Sequence, residues 1–65
     1  MVRILTQNPV DANVTYFEFA GKVGDTKPTG KFAQCSSYME LDVTNQKIKP
    51  YFWDEDSESW IEVGG

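Results

Sequence analysis

Histidine is absent from this chain, and cysteine occurs once, at position 35. The first absence removes the side chain that most readily moves protons near neutral pH. The second excludes an intrachain disulfide, and together they leave too few of the usual ligands for a structural zinc site. Cys35 has no imidazole to activate its thiol, which argues against a Cys–His nucleophile. The glycines fit no phosphate-cradling pattern such as G-x-x-x-x-G-K-[ST]. Paired carboxylates could perform glycosidase chemistry, but so short a chain could scarcely build the cleft around them. A non-enzymatic role without cofactor or metal is the expectation.

Positive charge is also scarce. Lys and Arg number 6 against 10 Asp and Glu, a net charge of −4, and the cations are spread along the chain with no basic stripe. Phosphate neutralisation needs such a stripe, so nucleic acid is not an expected partner. No apolar run approaches the roughly 20 residues that span a bilayer as a helix, so no membrane role is expected. Met1-Val2-Arg3-Ile4-Leu5 gives way at once to polar Thr6-Gln7-Asn8-Pro9, unlike a secretory signal. Cytoplasmic synthesis follows as an expectation. Residues 1–65 form one domain at most, and a domain of roughly 60 residues hides only about 60% of its unfolded surface. Without disulfide or metal, association is the remaining way to supplement so small a core.

Aromatic and β-branched residues are present in alternation. Val2–Thr6 reads as a short strand, Gln7-Asn8-Pro9 as a turn, and Asn13–Ala20 as a strand with Phe17 and Phe19 on one side and Tyr16 and Glu18 on the other. Gly21 to Lys31 is a loop on its glycine and proline content. No segment carries a capped helical period. From Ser36 to Val63 the pattern fixes a register. With Val43-Thr44-Asn45-Gln46 as a hairpin loop, Asp42 faces Lys47, Leu41 faces Ile48, Glu40 faces Lys49 and Tyr38 faces Tyr51. With Asp54 to Ser59 as a second loop, Trp53 faces Trp60, Phe52 faces Ile61 and Tyr51 faces Glu62. A slip of one residue would exchange the two faces throughout. Pro50 fits awkwardly in a central strand, since it cannot donate to the ladder.

The sheet so defined has unlike faces. Met39, Leu41, Ile48, Phe52, Ile61 and Val63 form the expected core face. Tyr38, Tyr51, Trp53 and Trp60 share the other with Glu40, Lys47, Lys49 and Glu62. Three readings of this aromatic face stay open. Asn13–Ala20 and the long loop could fold over it as a second small core. It could be a protein interface, with aromatic anchors among charges. It could also stack on sugars, with carboxylates taking the hydroxyls. Tyr38, Tyr51, Trp53, Trp60 and Glu62 are accordingly the candidate binding residues. The acidic turn Asp54-Glu55-Asp56-Ser57-Glu58 begins like a calcium loop, but it lacks the sixth-position glycine, the twelfth-position Glu and flanking helices. It reads as a solvated hairpin loop.

Several short motifs carry a resemblance. Asp25-Thr26-Lys27-Pro28-Thr29, Ser36-Ser37-Tyr38-Met39-Glu40-Leu41-Asp42, Tyr51-Phe52-Trp53-Asp54 and Ser59-Trp60-Ile61-Glu62 follow one another between Gly24 and Val63. This stretch is similar to small proteins encoded among the virion genes of tailed phages and prophages. Those read D-T-K-P-T, S-x-F/Y-x-E-x-D-T-G-K, Y-x-F/W-D and W-x-E. The compact D-T-G-K turn is replaced here by the longer Asp42–Lys47 connection, and Met1–Ala20 has no counterpart. The resemblance implies a capsid-, neck- or tail-associated structural or accessory protein in the virion, made in the host cytoplasm, with no catalytic residue.

The sequence thus predicts an all-β domain, a small antiparallel meander of four or five short strands, at Ser37–Asp42, Lys47–Trp53 and Ser59–Val63 with a further strand near Asn13–Ala20. Val2–Thr6 is a fifth strand that could pair with a neighbouring subunit. The expected function is an interaction module working through a sheet edge and the aromatic face, with itself or other virion proteins as partners. A small glycan-binding module is the alternative.

Overall fold

The computed structural model describes residues 1–63. They form one five-stranded sheet in the order β1-β2-β3-β4-β5, with β1 at Arg3–Pro9, β2 at Thr15–Lys22, β3 at Ser37–Asp42, β4 at Lys47–Asp54 and β5 at Ser59–Glu62. No helix occurs among the described residues, and the fold is all-β. Strand order in space equals strand order in sequence, as in a meander. The sheet is nevertheless mixed: β2 and β3 run parallel, Phe19 beside Tyr38 and Ala20 beside Met39, while the other three pairs are antiparallel. The expected small antiparallel meander is thus present at three of its four joints, and only β2 and β3 are parallel. A parallel pair cannot be closed by a tight turn, so the chain must travel back along the sheet, and residues 23–36 make that crossing.

Both back hairpins take the register read from the sequence, with Asp42 opposite Lys47, Tyr38 opposite Tyr51, Trp53 opposite Trp60 and Tyr51 opposite Glu62. The two turns share one device. Asp42 opens the first and accepts from the backbone N–H of Asn45 at 3.1 Å and its Nδ2 at 2.8 Å. Asp54 opens the second and accepts from the N–H of Ser57 at 3.3 Å and its Oγ at 2.8 Å. Such aspartates mimic a backbone turn with their own side chains. Each loop then leaves through a left-handed residue, Gln46 or Glu58, that redirects the chain into the next strand.

The front differs from expectation at one point. Gln7-Asn8-Pro9 continues β1 and is no turn; Pro9 pairs with Thr15. The turn lies at 10–14, where Asp11 Oδ1 accepts from the N–H of Asn13 and of Val14. A proline is tolerated there because β1 is an edge strand. β1 pairs with β2 of its own chain. Pro50 resolves similarly. Its carbonyl accepts from Val63, so its nitrogen also faces the β5 side, where that strand ends at Glu62. The missing donor falls at the last rung of the ladder.

The larger correction concerns the core. Its centre is Phe19, Phe32, Tyr38 and Trp53, with Val2, Phe17, Tyr51 and Trp60 packed against it. The aromatic face is therefore buried, and the face carrying Met39, Leu41, Ile48, Ile61 and Val63, expected as the core, is 40–62% exposed at those residues. The physical reason is the crossover. It lays Phe32 and Ala33 over the rings, fixed by Ala33 N–H to Thr15 O at 2.9 Å and Thr15 N–H to Lys31 O at 3.3 Å. Of the three readings of the aromatic face, the covered core is the one observed, with the loop and not β2 as its lid.

The crossover re-enters the sheet at Cys35, whose φ of 67° is left-handed. Cys35 N–H donates to Trp53 O at 3.0 Å, and Trp53 N–H donates to Ser36 O at 2.8 Å. That conformation disfavours β-branched side chains most. Cys35→Val should therefore lower stability by about 1–2 kcal/mol, several degrees in Tm for a domain of this size, whereas Cys35→Gly should match or exceed the parent. Thermal unfolding followed by tryptophan fluorescence checks this, and equal losses in both variants would contradict it.

Candidate functional site

The five residues singled out from the sequence do lie together, but as structure. Tyr38 and Trp53 are 0% and 2% exposed. Trp53 meets Trp60 edge-on at 5.1 Å and Phe32 at 4.9 Å, and Phe17 stacks on Phe19 at 5.0 Å. Offset and edge-on pairs of this kind stabilise by about 0.5–1.5 kcal/mol beyond the area they bury. Trp60 is half-buried, and its Nε1 donates to the carbonyl of Pro28 at 2.9 Å. Tyr51 is half-buried under the Lys27 ammonium, 4.3 Å from the ring centroid. Glu62 alone is exposed. Tyr38 and Trp53 thus offer no ring to solvent, and Tyr51 and Trp60 are only partly exposed.

The charges on this side are fitted to the same purpose. Glu40, 8% exposed, accepts from Lys27 Nζ at 2.9 Å and from the Tyr51 hydroxyl at 3.4 Å. The hydrogen bond to Glu40 holds the Lys27 ammonium above the ordinary lysine pKa, in spite of partial burial. Charged residues on the aromatic face make it look solvated in the sequence, yet Glu40 and Lys27 enter as a pair. The motif residues thus converge. Asp25 Oδ2 accepts from Lys22 N–H and from the Met1 ammonium, Lys27 holds Glu40, Pro28 receives Trp60, and Asp54 builds its turn. They fasten the crossover and the loops to the sheet.

Tyr38 carries a polar atom into the core. Its hydroxyl is buried with no hydrogen-bond partner among the described residues, and burial pushes its pKa up. It rests over Gly21, where a Cβ would collide with the Tyr38 hydroxyl and stand 3.0 Å from Cζ. Gly21 is thus required by close approach.

What remains free is the opposite face. Alternation and register place Ala20 and Lys22 on β2, Met39 and Leu41 on β3, and Ile48, Pro50 and Phe52 on β4 along one surface. A shallow groove there joins Met39, Leu41 and Ile48 to the cations Arg3 and Lys22. The alternation pattern identifies these residues as one face but assigns that face to the core. The signal that could have corrected it is Phe32, an aromatic residue beside a loop otherwise rich in breakers. A second depression, at the end of the aromatic side, is lined by Lys31, Phe32, Trp53, Glu55 and Glu58. Glu55 there accepts from Gln34 N–H at 2.8 Å, which makes it a structural tie. Among the described residues no group of His, Cys, Asp or Glu is arranged to hold a metal ion.

The Tyr38–Gly21 approach and the turn carboxylates each have a measurable consequence. Gly21→Ala should destabilise by about 2 kcal/mol through the clash, while Tyr38→Phe should be neutral or stabilising because it removes an unpaired buried hydroxyl. Combining them should recover much of the Gly21→Ala loss in urea unfolding; strict additivity would dismiss the contact. The pH dependence has a definite sign. Hydrogen bonds from Asn45 to Asp42, from Ser57 to Asp54 and from Lys22 N–H to Asp25 hold these carboxylates below their ordinary pKa. Their contribution is present above about pH 4 and is lost as pH falls through the lowered values. Lys27 and Tyr38 are raised, so theirs is present below about pH 10 and is lost above it. Tm should be flat between about pH 5 and 9, and Asp42→Asn with Asp54→Asn should flatten the acid limb alone.

Comparison with known proteins adds no relative to this geometry: no family model matches the chain, and no curated protein or solved structure matches it significantly.

Proposed function

We propose that this chain is a non-enzymatic interaction module of a phage or prophage particle, virion-associated and working through the uncovered face of its sheet. The observation that carries the interaction reading is that face: Met39, Leu41, Ile48, Ile61 and Val63 stand 40–62% exposed on a single contiguous surface. At about 4.8 Å between strands and 3.3 Å per residue, the three strands that carry these residues span on the order of 14 × 20 Å in projection. Apolar patches beyond a few hundred Å² mark contact sites on otherwise soluble surfaces. The particle context rests on the motif resemblance between Gly24 and Val63.

The sheet edges are poor alternatives. β1 carries a bulge between Ile4 and Thr6 and ends in Pro9, and β5 has only 4 residues. Short, bulged and proline-bearing edges discourage strand addition. The route is therefore the face, in place of the edge and the aromatic side suggested by the sequence.

Ile48→Lys and Trp60→Ala separate this reading from a purely structural one. Ile48→Lys should retain the near-ultraviolet circular dichroism of the aromatic core and shift Tm by only a few degrees, yet remove the protein from purified particles as judged by mass spectrometry. Trp60→Ala should cost about 3–5 kcal/mol and unfold so small a domain. Wild-type incorporation of a folded Ile48→Lys protein would overturn the reading.

A further inference from the structure

Lys27 ends in a corner built by three side chains of the central strands. Its ammonium lies 2.9 Å from Glu40 Oε2, 4.3 Å from the ring centroid of Tyr51 and 5.4 Å from that of Tyr38. The two rings stand at 78° to each other with centroids 6.3 Å apart, and Glu40 supplies the counter-charge. Two rings and a carboxylate suit a half-desolvated ammonium: the ring quadrupoles attract it and the carboxylate accepts its N–H. The site is built on strands and needs nothing from the crossover. Tyr38 and Tyr51 are a cross-strand pair, and Glu40 lies two residues further along β3 on the same face. The Glu40 side chain is nine-tenths buried, and the Tyr51 hydroxyl donates to its other oxygen at 3.4 Å. Lys49 is directly opposite Glu40 on β4, yet among the described residues it makes no ion pair. The ammonium that Glu40 holds comes from the crossover.

The segment that delivers it is lightly held. From Thr26 to Gly30 no backbone-to-backbone hydrogen bond occurs among the described residues. Thr26, Thr29 and Gly30 are exposed, and the segment is tied by Lys27 to Glu40 and by the Pro28 carbonyl to Trp60. We propose that Glu40, Tyr38 and Tyr51 are a receptor for a primary alkylammonium, the end of a lysine side chain. Lys27 is its resident occupant, carried on a strap of residues 26–30 that a lysine of a protein partner displaces. This site lies on the covered side of the sheet and does not depend on the open-face reading above. The bond to Glu40 needs an N–H, so a primary ammonium is preferred to a quaternary one. A tethered occupant competes at an effective concentration on the order of millimolar. Displacement therefore takes free ligand above that level, or a partner whose other contacts add to its lysine. It also draws Pro28 away from the Trp60 indole, which provides a signal.

Lys27→Ala vacates the receptor, and Lys49→Gln in the same chain keeps the neighbouring ammonium out. Titration of this double variant with n-butylammonium, at constant ionic strength, tests the proposal. The expected result is a saturable rise in Tm, several degrees once the ligand exceeds its Kd about tenfold. n-Butyltrimethylammonium, which has no N–H, should bind at least about tenfold more weakly. Adding Glu40→Gln should abolish the rise. Circular dichroism verifies the fold before each titration, and sucrose, which favours compact states, restores a variant that is partly unfolded. The wild-type chain should respond with a midpoint at least about tenfold higher, together with a change in tryptophan emission as the strap leaves Trp60. No saturable rise in the folded double variant, or one that survives Glu40→Gln, would overturn the receptor. A wild-type midpoint equal to that of the variant would place the amine elsewhere and overturn it as well. A wild-type chain that never responds would overturn displacement of the strap. Incorporation of Ile48→Lys into particles decides the open-face reading separately.

Discussion

The fold depends on one contact between a loop and a sheet. Phe32 belongs to no strand, yet its ring lies 4.9 Å from Trp53, 5.3 Å from Phe19 and 5.8 Å from Trp60. Those three partners come from β2, β4 and β5. A single side chain from the crossover thus ties most of the width of the sheet together and closes the aromatic face against water. Aromatic side chains suit this task because each buries a large area with few rotatable bonds, so ordering them costs little entropy for the surface they remove from water.

Seating Phe32 constrains everything around it. The crossover must return to the sheet beside β2 and parallel to it, which forces the left-handed turn at Cys35. The loop must pass over the far end of the sheet, where Lys27 meets Glu40 and Pro28 meets Trp60. Glu40 would be an unpaired buried charge without Lys27, and an unpaired buried charge is far more costly than a paired one. Gly21 must lack a side chain so that the Tyr38 ring can lie against β2. Residues that resemble a binding motif in sequence are in this way the fastenings of the lid.

The lid in consequence serves one side only. The crossover lies over the rings and leaves Met39, Leu41 and Ile48 exposed. The balance of forces explains the choice: burying Trp, Tyr and Phe removes more apolar area than burying the aliphatic side chains opposite. The uncovered face is then the natural place for an intermolecular contact, and the blunted edges of the sheet direct that contact to face-on packing.

The sequence by itself determined the all-β class, the register of both back hairpins and the division of residues between two faces, because period-two alternation and cross-strand pairing are local properties. Asp42 with Lys47, Tyr38 with Tyr51 and Trp53 with Trp60 were all legible for that reason. The candidate site was legible only as a set of residues on each face, and its inside and outside were exchanged. Alternation states that two faces differ but not which one a distant segment covers, and the charges of Glu40 and Lys49 beside the rings pointed the wrong way. Only the tertiary structure decided that β2 and β3 run parallel and that residues 23–36 cross the aromatic side. Those are non-local contacts between Phe32 and strands on either side of it in sequence, and no periodicity within a strand encodes them.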